Sequence, residues 1–267
     1  VIRKFVALDG TEFEVDLAEP GAFESVYFLS VHKAGSTLLH RMVRDICAAG
    51  GRPQIELEPA MFRRGVVLDD CPLEAMQLLE LKGYVFGGFR APWMLSFVRQ
   101  YRTARKLLLV RDPRDIAVSY YFSMSRSHVL PRQGTAREEI LKLRETALSQ
   151  EVSAYVMKGK VNPVINNLKL FIEHSENFEN MEVLRYEDVI FDKPLLVDKI
   201  CDYCAVDLPA EERTRIAAKH DIRPERENPN AHVRQVTPGN YKTHLSEEAQ
   251  TFLTRRYQRL MTKLGYI

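Results

Sequence analysis

At 267 residues the chain is long enough to bury a full hydrophobic core, and 45% apolar with 28% charged residues sets it among globular chains rather than disordered, collagen-like or fibrous ones. With 38 basic against 36 acidic residues the net charge is +2, which argues against a uniformly basic nucleic-acid glove and leaves room for a local anion site. No apolar run approaches the roughly 18 residues that cross a bilayer, the start from Val1 to Phe5 lacks the apolar stretch of a signal peptide, and 4 cysteines are too few for a disulfide scaffold. The expectation is a cytoplasmic protein with no membrane span and no nucleic-acid partner; the oligomeric state stays open.

Residues 5–8 and 13–15 read as a β-hairpin on the turn Asp9-Gly10, an appendage over residues 1–17 punctuated by Pro20-Gly21. Residues 26–31 form a nearly continuous apolar run, the mark of a buried parallel strand. A short loop over 32–36 leads to helical spacing over 37–46. Second and third strands follow at 84–89 and 106–110, with a helix over 115–122 behind the third. Residues 138–157 and 164–174 are helical in composition, 181–186 reads as a fourth strand, and 195–203 as another helix. Pro224, Pro229 and Pro238 break up 223–238, and a helix over 247–264 closes the chain. Strands alternating with helices imply an α/β fold, a three-layer arrangement with a mostly parallel central sheet and helices on both faces. No shift in composition divides residues 1–267, so a single domain is expected.

Two segments point to an anion. His32-Lys33-Ala34-Gly35-Ser36-Thr37 lies between a buried strand and a helix start, where free backbone N–H groups and the positive helix end collect phosphate or sulfate. Gly35 permits close backbone approach, the hydroxyls donate, and Lys33 adds a mobile charge. The lysine precedes the glycine, so this is not a Walker A loop. Taken alone, the segment is equally an ordinary βα turn with Ser36 as N-cap. In the second segment, Arg111 sits at the carboxyl end of a strand, where open α/β sheets place ligands. Ser119 follows eight residues on and can share one anion with the guanidinium. Taken alone, that segment is a solvated helix start in which Asp112 and Asp115 neutralise the arginines.

Together the two segments resemble the sulfotransferases that use 3′-phosphoadenosine 5′-phosphosulfate (PAPS). The first is similar to the family's P-K-S-G-T-T core, with His32 for Pro and Ala34 for Ser, and Asp115-Ile116-Ala117-Val118-Ser119-Tyr120-Tyr121 is similar to its D-x-A-x-S-Y-Y. Tyr186-Glu187-Asp188 resembles the family's Y-E-D. The stretch from Arg234 to Lys242 resembles its R-K-G-x-x-G-x-W-K loop, with Gln235, Val236 and Tyr241 as departures.

The resemblance implies a P-loop-like fold and a PAPS co-substrate leaving as 3′-phosphoadenosine 5′-phosphate (PAP), with no metal. It implies that Lys33, Ala34, Gly35, Ser36, Thr37 and Leu38 hold the 5′ end, and that Lys33 stabilises the leaving phosphate. Arg111, Ser119 and Arg234, with Gln235 and Val236, would hold the 3′-phosphate, and Tyr186 would lie near the adenine. The acceptor would be a hydroxyl, or less readily an amine, of a small molecule or glycan.

An alcohol acceptor needs a proton acceptor. In place of the catalytic T-H-L-P of the small-molecule members stands Phe89-Arg90-Ala91-Pro92, and an arginine cannot act as a base at neutral pH. Glu58 ranks first as the base, then His128, then Glu56; each is also readable as a polar residue without a role. Cys201-Asp202-Tyr203-Cys204 reads as helix packing rather than a metal or redox pair. A P-loop-like small-molecule kinase and a catalytically inactive nucleotide-binding relative are the alternatives.

Overall fold

The computed structural model describes residues 1–228 and 234–267; residues 229–233 of the expected irregular stretch lie outside them. The chain opens as a hairpin of β1 (Ile2–Val6) and β2 (Glu12–Asp16), with Phe5 opposite Phe13. The connection differs from the expected two-residue turn. It runs over 7–11, with the Ala7 N–H donating to the Thr11 carbonyl at 2.9 Å and Gly10 at φ 83°. Stacking of Phe5 on Phe13, with centroids 5.5 Å apart, pins the register and leaves these five residues to close the loop. Phe13 and Val15 turn inward to the main core, and the Leu8 N–H donates to the Asp70 carbonyl at 2.9 Å.

Five parallel strands form the central sheet in the order β4-β5-β3-β6-β7: β3 (Val26–Ser30), β4 (Gln54–Ile55), β5 (Val85–Phe89), β6 (Arg105–Val110) and β7 (Met181–Arg185). All five residues of β3 are buried, because the strand has a neighbour on each edge and a layer on each face. Alternation divides its side chains. Val26 and Phe28 join one core and Tyr27 and Leu29 the other, and in β6 Leu107 and Leu109 part in the same way from Leu108 and Val110.

The helices in chain order are α1 (Ser36–Ala49), α2 (Leu57–Arg64), α3 (Leu73–Met76), α4 (Pro113–Phe122), α5 (Thr135–Leu148), α6 (Val152–Met157) and α7 (Asn162–Asn177). After β7 come α8 (Tyr186–Val189), α9 (Lys193–Tyr203), α10 (Ala210–His220), α11 (Tyr241–His244), α12 (Glu247–Arg256) and α13 (Gln258–Lys263). Helices α1, α9 and α10 cover the first core, and α2, α4, α7, α12 and α13 the second. This is the three-layer α/β arrangement expected from the sequence. No described helix is long and apolar enough to cross a membrane.

Local chemistry shifts several boundaries. Asp112 accepts the Arg114 N–H at 2.8 Å and Pro113 follows at the first helical position, so α4 starts two residues before the expected position; both are strong helix-start signals. The single helix expected over 138–157 is two, parted at 149–151, and the closing helix breaks at Tyr257. Beyond α4 the chain passes through a π-helical turn, Ser123–Ser127. Cys47, Cys201 and Cys204 are packed in the first core with free thiols.

Candidate functional site

From β3 the chain turns into α1 on one face of the sheet, and from the adjacent β6 it turns into α4 on the other. The two loops part at the carboxyl edge and leave a crevice, the usual ligand position in an open parallel sheet. Here it is a cavity of about 680 Å³.

The loop after β3 is wound tightly. Lys33 has φ 68° and Gly35 φ 89°, so two residues in three are left-handed. At Gly35 a Cβ would lie 2.8 Å from Tyr186 Cδ2 and 2.9 Å from Leu109 Cδ2, so only glycine fits both the turn and the space. Gly35, not Ser36, takes the N-cap position of α1, and no side chain caps it. The leading N–H groups of α1 therefore face the cavity mouth without a side-chain acceptor.

Arg111, just past β6, closes the other side. Its guanidinium lies 4.5 Å over the Tyr186 ring, donates from Nη1 to the Lys33 carbonyl at 3.3 Å, and places Nη2 3.6 Å from Asp115 Oδ2. Its Nε is buried with no hydrogen-bond partner among the described residues. Arg234 arrives from the carboxyl-terminal segment, stacks 4.5 Å over Phe122 and pairs with Glu227. Tyr186 ties that segment down by donating its hydroxyl to the Val236 carbonyl at 3.2 Å. The result is a concentration of positive charge. Burial, and then Arg111, Arg234 and Arg90 in turn, push the Lys33 ammonium down to about 8, as expected when like charges crowd a partly desolvated site.

The far half of the cavity has another character. Pro59, Phe62, Val66, Leu68, Ile140 and Leu143 give it apolar walls. Glu58, on the first turn of α2, accepts the Arg90 N–H at 2.9 Å, while its Oε1 is buried without a partner among the described residues. Burial pushes its carboxyl up to about 8, against the opposing pull of Arg90. His128 meets Ser123 Oγ through Nδ1 at 3.3 Å, and its ring lies against Phe62 and His32, with centroids 6.3 and 6.1 Å away.

Every sequence-derived candidate lines this cavity except Ala34 and Glu56. Ala34 is wholly buried in the core. Glu56 turns to His40, its Oε1 3.1 Å from Nε2. The wall also carries polar side chains to which the sequence analysis assigned no role, among them His32, His40 and Arg90. The signal for His32 was its substitution for proline beside Lys33. Arg90, which the sequence marks as unsuitable for a base, donates from Nη1 to the Gly88 and Phe89 carbonyls at 2.8 and 3.2 Å.

Gly35→Ala is expected to cost about 1–3 kcal/mol of stability, since the new methyl must displace Tyr186 or Leu109 and hold a left-handed backbone. Urea unfolding of the two proteins measures it; an unchanged midpoint would show that the loop can relax.

The sulfotransferase domain family matches residues 92–265, a segment that holds Arg111, Ser119, Tyr186 and Arg234 but begins after the Lys33 loop. A guinea pig (Cavia porcellus) 3-alpha-hydroxysteroid sulfotransferase is 27% identical over an aligned length of 180, gaps included, which covers 61% of this chain and 57% of that protein. The chain thus spans little more than half the length of this relative. The crystal structure of mouse sulfotransferase SULT7A1 complexed with PAP superposes with a TM-score of 0.57 at 16% identity, covering 91% of this chain and 85% of that one, a likeness of fold. The domain match extends over most of the chain and contains Arg111 and Arg234, and on it this chain belongs to the sulfotransferase family.

Proposed function

We propose that the chain, acting as one domain with the hairpin as an appendage, transfers a sulfuryl group from PAPS to a hydroxyl of a small molecule with a largely apolar body. The observation that carries this reading is the convergence of Lys33, Arg111 and Arg234, from three distant parts of the sequence, on one cavity. The PAP bound to the mouse relative and the hydroxysteroid in the guinea pig enzyme's name support it. The apolar walls around Glu58 favour a small apolar acceptor over a glycan. Four buried free thiols support a reducing, cytoplasmic setting.

The residues present fit such a nucleotide. The orphaned Nε of Arg111 is a buried donor that a phosphate oxygen would satisfy. Arg111, Ser119 and Arg234, with Gln235 and Val236 beside them, hold the 3′-phosphate. Lys33, Gly35, Ser36, Thr37 and Leu38 hold the 5′ end, and Tyr186 borders the base. When bound, PAPS supplies the sulfuryl group on a phosphate leaving group.

In-line transfer asks the protein mainly for positioning and for charge at the leaving oxygen. Lys33 provides the charge. Its ammonium titrates at about 8 in the free protein, and a nearby phosphate raises that value, so it is a cation at neutral pH in the complex. Glu58 takes the acceptor proton. Its carboxyl, held at about 8 by burial, lies near working pH, where a general base is most effective. His128, against the same apolar wall, is the second candidate.

The nucleotide assignment is tested by calorimetry with PAP and with adenosine 5′-phosphate. Two or three charge-assisted hydrogen bonds at about 1.5–3 kcal/mol each imply at least a tenfold preference for PAP. Equal affinities would overturn the assignment.

Lys33→Ala, assayed in single turnover with both substrates saturating, should lose about two to three orders of magnitude in kcat. PAP affinity should stay within about tenfold, because this contact grows only on the way to the transition state. Near-parent turnover would reduce Lys33 to a binding residue.

The pH profile follows from the signs of the two shifts. Glu58 is a base only above its value of about 8 and free Lys33 a cation only below about 8, so kcat/KM should peak near pH 8. The alkaline limb of kcat should lie higher, since nucleotide raises the Lys33 value. Glu58→Gln should remove the rising limb and lower kcat by about two to four orders of magnitude. If His128→Asn removes that limb instead, the proton goes to His128.

A further inference from the structure

Asp115 does not line the cavity, yet it is the most enclosed charge near it, with no solvent exposure at all. It stands on α4, one turn beyond Arg111. Its Oδ2 accepts the Gly239 N–H at 2.8 Å and its Oδ1 the Tyr241 N–H at 2.9 Å, while Arg111 Nη2 lies 3.6 Å away. Gly239, at φ 81°, turns the chain just ahead of α11, and Arg234, Gln235 and Val236 enter the cavity wall immediately upstream.

A buried carboxylate persists only where its partners offset its lost hydration. Here those partners are one anion-site arginine and the backbone that carries the other. The two guanidiniums repel, and burial together with Arg111 lowers the Arg234 value, so bringing them together needs a tether that bears negative charge.

We propose that Asp115 is the positioning residue that sets Arg234 against Arg111, so that one ligand phosphate meets both. The inference rests on the nucleotide reading above. Its consequence is selective: Asp115 matters to a ligand that engages both arginines, and little to one that lacks the 3′-phosphate.

The experiment is calorimetry with PAP and with adenosine 5′-phosphate on the parent, Asp115→Asn, Arg234→Ala and the double variant. Asparagine keeps the shape but turns one acceptor into a donor facing an N–H. Asp115→Asn should weaken PAP about tenfold or more and leave adenosine 5′-phosphate within about threefold. The double variant should bind PAP about as well as Arg234→Ala alone, because coupled residues are not additive. Equal losses for both nucleotides, or PAP losses that multiply in the double variant, overturn the proposal.

Hydrogen exchange on the parent gives a second measurement that does not depend on a variant folding. The Gly239 and Tyr241 amides should be protected without nucleotide and more so with PAP; freely exchanging amides overturn the proposal. A parent that binds both nucleotides equally rejects the nucleotide reading instead, and amide protection then still decides whether Asp115 holds the segment.

Discussion

The parallel pairing of β3 with β6, with Ser30 opposite Leu109, determines how the rest of this molecule is arranged. In that register the two strands end side by side, so the Lys33 loop and Arg111 emerge at the same edge. The Arg111 guanidinium then reaches back to the Lys33 carbonyl. A slip of one residue would turn every side chain of the strand to the other face. The buried side chains on both faces of these strands therefore hold the register and, with it, the approach of the Lys33 loop to Arg111.

That approach has an electrostatic cost. Lys33, Arg90, Arg111 and Arg234 border one cavity, and like charges in a partly dry space oppose each other strongly. The structure answers with carboxylates set behind the cations: Asp115 behind Arg111, and Glu227 against Arg234. Aromatic rings do the remaining work, Tyr186 under Arg111 and Phe122 under Arg234, which orients planar guanidiniums without adding charge. A third carboxylate lies farther back. Glu187 accepts the Asp112 N–H at 3.0 Å and the Tyr266 hydroxyl at 2.8 Å, joining the turn after β6 to the end of the chain.

Across the cavity the balance is reversed. Glu58 sits in an apolar wall that disfavours its ionised form, and burial shifts it and Lys33 in opposite directions toward the same value. One desolvating environment thus makes the acid weaker and the ammonium more acidic. Both groups become able to exchange protons near neutrality, which neither does in water.

Four of the five sheet strands, the α/β class and the placing of the Lys33 loop and Arg111 at strand ends were legible in the sequence because their signals are local, whereas the two-residue β4 is too short to give one. An apolar run of strand length, a glycine in a βα loop and an arginine at a strand end each carry their meaning within a few residues. The Asp112-Pro113 helix start is equally local, and it explains why α4 begins earlier than apolar spacing suggested. What tertiary structure decided concerns pairs of residues far apart in the chain. Glu56 and Glu58 stand two residues apart, and the sequence could only rank them. One turns to His40 and the other into the cavity wall, because helix α2 begins between them and points them apart. Asp115 read as a partner for neighbouring arginines, and it does face Arg111, but its carboxylate also accepts the backbone N–H groups of Gly239 and Tyr241. No local pattern foretells that pairing, since it exists only once α4 and the carboxyl-terminal segment are packed side by side.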